Sequence, residues 1–278
     1  MERYDNFING KWQAPEGGRH YPIFNPAKPS EPLGEFPLSS AGDVDAAISA
    51  AAGAASSWAA VPGPQRGQML SRFAQLLDES KAELARIVTL EMGKPLGEAA
   101  GEVGRAATEA RFAAGEASRL DGHTFVSERP GFTCSTVLEP LGVVAAISPW
   151  NFPVVSPVRK IAPALACGDT VVFKPASITP WSAVYIVKLL EKAGFPAGVV
   201  NLAIGRGSEV GDRIVDDPRV SGITFTGSTA VGIPLSERAA RRMAKVQLEL
   251  GGKNPAVVVD FDDLELAARE IVSAALQC

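Results

Sequence analysis

A chain of 278 residues, 46% of them hydrophobic and 21% charged, has the size and composition of one large or two ordinary globular domains. Its formal net charge of −4 gives no basic footprint for nucleic acid or for an anionic membrane. No apolar run is long enough to cross a bilayer, and the charged opening Met1-Glu2-Arg3-Tyr4-Asp5 lacks the apolar core of a secretory signal.

The first forty residues are rich in Gly, Pro and aromatics and predict short strands joined by turns, with Asn9-Gly10 as a hairpin signal. From Ser40 to Leu120 the texture becomes Ala, Glu, Arg and Leu at helical spacing. Asp43, Gly63-Pro64 and Gly93 divide it into two or three amphipathic helices. Met69, Phe73, Leu76 and Leu77 fall on one face of such a helix. A hairpin is predicted around Glu128-Arg129-Pro130-Gly131. Beyond it, apolar runs at 143–147, 170–173, 199–204, 222–225 and 246–250 alternate with helical segments at 154–166, 182–193, 209–215 and 229–242. Such alternation predicts right-handed crossovers and a parallel sheet covered by helices on both faces. A strand at 256–259 and a helix from Asp262 close the chain. Cys134, Cys167 and Cys278 are far apart and odd in number, and neither they nor the two histidines show metal-ligand spacing. Free thiols in a reducing cytoplasm, with no metal, are expected.

In an open α/β sheet, ligands collect at the C-terminal ends of the strands. Here the strand ends carry Ser148-Pro149-Trp150-Asn151, Lys174-Pro175-Ala176-Ser177, Gly205-Arg206-Gly207, Thr226-Gly227-Ser228-Thr229 and Glu249-Leu250-Gly251-Gly252-Lys253. Gly227-Ser228-Thr229 before a helix suits a phosphate, or is an ordinary N-cap. The strict G-x-G-x-x-G fingerprint is absent, because Gly211 comes one residue late after Gly205-Arg206-Gly207. Lys174 is either a surface charge or a ligand for ribose or phosphate in a crevice. Asn151 could donate its amide to a developing oxyanion, or serve as a turn residue. Glu249, at the end of an apolar strand, is expected to be partly desolvated and to act as a general base; the alternative is a capping or Lys253-paired carboxylate.

Ser-Pro-Trp-Asn-Phe-Pro, Lys-Pro-Ala-Ser-Ile-Thr-Pro, Phe-Thr-Gly-Ser-Thr and Leu-Glu-Leu-Gly-Gly-Lys-Asn-Pro, in this order, resemble the aldehyde dehydrogenase superfamily. Phe7-Ile8-Asn9-Gly10-Lys11-Trp12, Phe24-Asn25-Pro26-Ala27 and Glu91-Met92-Gly93-Lys94-Pro95 look like its N-terminal landmarks, so the resemblance spans the chain. It implies a Rossmann-like α/β fold, NADP or NAD as cofactor, a small-molecule aldehyde as substrate and a homo-oligomeric full-length form. It further implies Asn151 as oxyanion donor, Glu249 as general base and Lys160 in proton relay. Cofactor contacts are implied at Trp150, Lys174, Ser177, Gly227, Ser228 and Leu250, and along the same loops at Ile147, Ser148, Pro149, Ala176, Gly207, Gly211, Phe225, Thr226 and Val231. The expected organisation is strands and turns over 1–40, helices over 41–121, a hairpin of a bridging element over 122–141 and a nucleotide-binding part over 142–278.

Two departures matter. Many NAD-using members place a glutamate where this chain has Ser177. Its absence removes repulsion of a 2′-phosphate and points to NADP or dual use. The chain also stops at Gln277-Cys278, short of the Gly-Gln-x-Cys motif that carries the family's nucleophile. The expectation is a truncated member, inactive alone and exposing an apolar face, with a non-catalytic nucleotide-binding or oligomerising module as the alternative.

Overall fold

A computed structural model describes residues 1–276. Cys278 therefore lies outside the described residues. The chain opens with strands β1 (Asn6–Ile8), β2 (Lys11–Gln13), β3 (His20–Asn25) and β4 (Lys28–Pro37). Asn9 and Gly10 adopt left-handed conformations, φ 50° and 75°, between β1 and β2, as the predicted hairpin requires.

Four helices follow: α1 (Ala41–Ala59), α2 (Gly63–Glu79), α3 (Lys81–Met92) and α4 (Leu96–Glu116). The sequence predicts two or three, because the break at Ser80 carries no Gly or Pro to mark it. The other boundaries are written in the chain. Ser40 and Asp43 form a reciprocal capping box at α1, Pro64 opens α2, and Gly93 ends α3 at φ 86°. The exposed hairpin β5 (Thr124–Val126) and β6 (Thr133–Ser135) then leads into the alternating part.

That part runs β7 (Val143–Ile147), α5 (Val155–Cys167), β8 (Thr170–Lys174), α6 (Pro180–Ala193), β9 (Val200–Leu202) and a π-turn (Gly207–Gly211) continuing into α7 (Asp212–Asp216). It ends with β10 (Val220–Gly227), α8 (Thr229–Ala240), β11 (Lys245–Leu250) and α9 (Leu264–Leu276). The main sheet has the order β11-β10-β7-β8-β9-β1-β2 among the described residues. The five strands from β11 to β9 are parallel, whereas β1 pairs antiparallel with both β9 and β2. The sheet is therefore mixed at one edge. Alternation along β7 and β8 divides the core: Val144, Ala146, Val171 and Phe173 face the cluster built with α2–α6, and Val143, Ala145, Ile147 and Val172 face α1, α7 and α8.

Residues 256–259 form no strand, against the sequence expectation, and Val257, Val258 and Val259 are exposed. An apolar β-branched run favours extended backbone, but a ladder needs a partner strand, and none pairs with it among the described residues. The α9 helix likewise has no buried residue.

Candidate active site and nucleotide crevice

The polar loops meet at the C-terminal edge of β7, β8, β10 and β11, around two adjoining crevices. The first, of about 690 Å³, is lined by Ile147, Ser148, Trp150, Lys174, Ala176, Ser177, Gly207, Gly211, Phe225, Thr226, Gly227, Ser228 and Val231, among others. The second, of about 600 Å³, holds Asn151, Lys160 and Glu249 together, with Pro149, Phe152, Arg105, Arg159, Gln247 and Thr226. Thr226 lines both, and the loop after β7 separates them by sending Trp150 to one side and Asn151 to the other. Of the residues expected around a nucleotide, Pro149 falls in the second crevice. Leu250 lines neither and instead packs beneath α8, where a Cβ on Gly232 would come within 2.5 Å of its side chain.

In the first crevice Lys174 is no surface charge. It is buried at the end of β8, its Nζ donating to Pro175 O at 2.9 Å, and burial lowers its pKa to about 8. Gly211 lies opposite: a Cβ there would stand 3.9 Å from Lys174 Cδ, so the π-turn backbone closes over the lysine stem. Ser177 is half-buried, and its carbonyl accepts from Tyr21 Oη at 2.7 Å. Ser228 occupies the N-cap position of α8, yet its side chain makes no capping hydrogen bond. The helix start thus presents backbone N–H groups beside a hydroxyl not spent on the cap. A Cβ on Gly227 would meet the Phe225 ring at 2.5 Å, so the approach to this helix start admits only glycine without a shift.

In the second crevice Lys160 reaches across from α5. Its Nζ donates to Thr226 Oγ1 at 2.6 Å and Thr224 Oγ1 at 3.4 Å. Burial lowers its pKa to about 8, against the opposing pull of the Glu249 carboxylate. Thr224 Oγ1 donates to Gln247 Oε1, and Gln247 Nε2 to Glu249 Oε1 at 3.3 Å, so hydrogen bonds run from the ammonium to the carboxylate. Glu249 itself is exposed, correcting the expectation of a partly desolvated base. The physical reason is its strand: β11 is the outer strand of the sheet, and its residues are half-buried at most. Arg159 donates to Glu109 Oε1 through Nε at 3.0 Å and Nη2 at 2.8 Å, while Arg105 approaches the same oxygen at 3.6 Å. Two guanidinium groups thus share one carboxylate at the crevice. Neither described cysteine lines either crevice: Cys134 is exposed on the β5–β6 hairpin, and Cys167 ends α5 beyond the opposite end of the sheet.

Three charged residues behind these loops have no role in the sequence reading, although Glu91 and Lys94 lie in one of its landmark motifs. Lys94 and Glu102 form a buried ion pair at 2.7 Å, and Glu91 is buried against the start of α6. A signal existed for Glu102, which interrupts the apolar stripe Ala99, Val103, Ala106 and Ala110 of α4 with a charge.

The model of the aldehyde dehydrogenase family matches residues 12–278. The chain belongs to that family. It is 43% identical, over 99% of its length, to an alpha-ketoglutaric semialdehyde dehydrogenase of Bacillus subtilis (strain 168), and spans 56% of that relative. It is 41% identical, over 95% of its length, to the NADP(+) succinate-semialdehyde dehydrogenase of Escherichia coli (strain K12), spanning 55% of it. Among solved structures, an NADP-dependent enzyme of E. coli superposes with a TM-score of 0.96 at 39% identity, covering 99% of this chain and 57% of that one. A betaine aldehyde dehydrogenase mutant of Staphylococcus aureus in complex with NAD+ superposes at 0.96 with 34% identity, covering 100% and 57%. The chain therefore spans little more than half the length of these relatives.

Proposed function

We propose that the first crevice binds the dinucleotide and that the second is this chain's share of an aldehyde-oxidising site. The observation that carries the reading is the shared wall: Thr226 and the 148–151 loop set Asn151, Lys160 and Glu249 directly beside the Lys174–Ser177–Ser228 crevice. The residues present fit a dinucleotide. A buried lysine, a helix start with an uncommitted hydroxyl and glycines that a Cβ would crowd together suit phosphate and ribose oxygens. When bound, the cofactor supplies the two-electron oxidant for the aldehyde carbon.

The roles follow from the donors at hand. The Asn151 amide can donate to an oxygen gaining negative charge without changing its own charge. Glu249, exposed at the crevice, can accept a proton from water. Lys160 holds positive charge between Thr226 and the Glu249 network, favouring anionic oxygen in that space. Arg105 and Arg159, two cations sharing Glu109, favour an aldehyde that carries a carboxylate at its far end. The names of the semialdehyde dehydrogenases among the relatives support the same substrate class. Ser177 in place of a carboxylate favours NADP over NAD.

Neither described cysteine lies at the crevices, so the aldehyde-oxidising nucleophile is not sought at Cys134 or Cys167. The cysteine pattern and acidic charge support a cytoplasmic protein that avoids nucleic acid and membranes, and the exposed β5–β6 hairpin supports assembly with further copies in the full-length form. Fluorescence titration of the chain with NADPH and NADH tests the reading. Saturable binding, tighter for NADPH, is expected; binding of neither would overturn it.

A further inference from the structure

Glu91 and Lys94 stand three residues apart where α3 gives way to α4, and their side chains fasten two different walls of the nucleotide crevice. Glu91 Oε2 accepts from Trp181 N at 2.8 Å and Oε1 from Ser182 N at 3.0 Å. These are first-turn N–H groups of α6, which lack partners within their own helix. The segment entering that turn carries Lys174, Ala176 and Ser177. Lys94 Nζ donates to Asn151 O at 2.9 Å and to Glu102 Oε2 at 2.7 Å, and lies 3.9 Å from the centre of the Phe152 ring. Glu102 Oε1 accepts from Val154 N at 2.8 Å and Val155 N at 3.0 Å, at the start of α5. The loop bearing Ser148, Trp150 and Asn151 is therefore held both at its middle and at its exit. Gly93, at φ 86°, ends α3 in the left-handed conformation that lets these neighbours diverge.

Glu91, Lys94 and Glu102 are all buried, and none lines either crevice. Stability is a weak reason for such groups, since the desolvation of a buried ion pair rivals its attraction. What they share is the backbone they hold. We propose that Glu91 and Lys94, the latter through its pair with Glu102, are positioning residues that preset the two loops gripping the dinucleotide. The inference rests on the cofactor reading above.

Binding of NADPH and of adenosine 2′,5′-bisphosphate to the full chain tests it, with melting temperature measured alongside. E91Q leaves one amide oxygen for two N–H donors, and weakening of both probes by about tenfold is expected. K94M strands Glu102 and lowers the melting temperature. K94M/E102Q removes both charges while the Gln oxygen still caps α5, so the melting temperature should recover toward that of the unsubstituted chain. In that double variant NADPH should still bind about tenfold more weakly, while adenosine 2′,5′-bisphosphate, held by the Lys174–Ser177 side, changes by less than about threefold. Recovery of NADPH affinity together with the melting temperature would mean a merely structural pair and overturn the proposal. So would unchanged affinity in E91Q or K94M; if one variant fails to fold, the other arm decides. If the unsubstituted chain binds neither probe, the cofactor reading falls first and this inference with it.

Discussion

Lys160 Nζ lies 2.6 Å from Thr226 Oγ1, and Thr226 is the side chain that both crevices share. The contact ties a helix behind the sheet to the residue between the proposed nucleotide crevice and the proposed aldehyde-oxidising one. Replacing Thr226 by Val keeps the shape but leaves the buried ammonium without its closest acceptor. Such a loss costs about 1–3 kcal/mol. Urea denaturation of T226V should show a lower midpoint with an unchanged slope, and an unaltered midpoint would mean that Thr224 alone suffices.

Lys174 sets a pH dependence. Burial depresses its pKa from 10.5 to about 8, so the unfolded chain binds the proton more tightly between those values. Folding stability attributable to this residue therefore rises with pH from about 8 to 10.5, as the buried charge is relieved. Nucleotide binding should move the other way. If the ammonium holds phosphate or ribose oxygens, NADP+ affinity falls as pH rises through about 8, and K174M flattens the profile. Because Lys160 titrates in the same range, K160M is the control and should retain the fall.

Glu91 gives the opposite stability profile. Burial raises its pKa from 4.5 to about 7, so the folded chain binds the proton more tightly between those values. Its contribution is greatest at the acid end of that window and is lost as pH rises through about 7. Chemical denaturation of E91Q across the window should show a weaker decline with pH than the unsubstituted chain.

Much of this was legible in the sequence, for identifiable reasons. The loops after β7, β8 and β10 could be placed because parallel strands force their C-terminal ends together, and Gly, Pro and Lys punctuate those ends. Asn151 and Glu249, more than ninety residues apart, converge as strand-end residues, whereas Lys160, on a helix, joins them only through the family resemblance. The exposure of Glu249 was not legible, because whether a strand end is buried depends on what packs beyond β11. Nor were the contacts of Lys94: its partners Asn151 and Glu102 lie 57 and 8 residues away, and Pro95 separates Lys94 from the helix that carries Glu102. The valines at 257–259 misled for a related reason, since strand propensity is satisfied only by a partner.

Ser177 is the specificity test. Replacing it with Glu puts a carboxylate beside the proposed ribose end of the crevice, where it would repel a 2′-phosphate and accept from ribose hydroxyls. S177E should weaken NADP+ by at least about tenfold, near 1.4 kcal/mol, while leaving NAD+ equal or tighter. Calorimetric titration with both cofactors reads the difference, and parallel losses for the two would mean that Ser177 does not face the ribose.

A crystal structure of the chain soaked with NADP+ tests most directly whether the first crevice binds the dinucleotide. The adenosine ribose and its phosphate should lie beside Lys174 and Ser177, the pyrophosphate at the Gly227–Ser228 helix start, and the nicotinamide end past Thr226 toward Asn151. A dinucleotide bound elsewhere, or lying in the Lys160–Glu249 crevice with Lys174 still facing only Pro175 O, would contradict it.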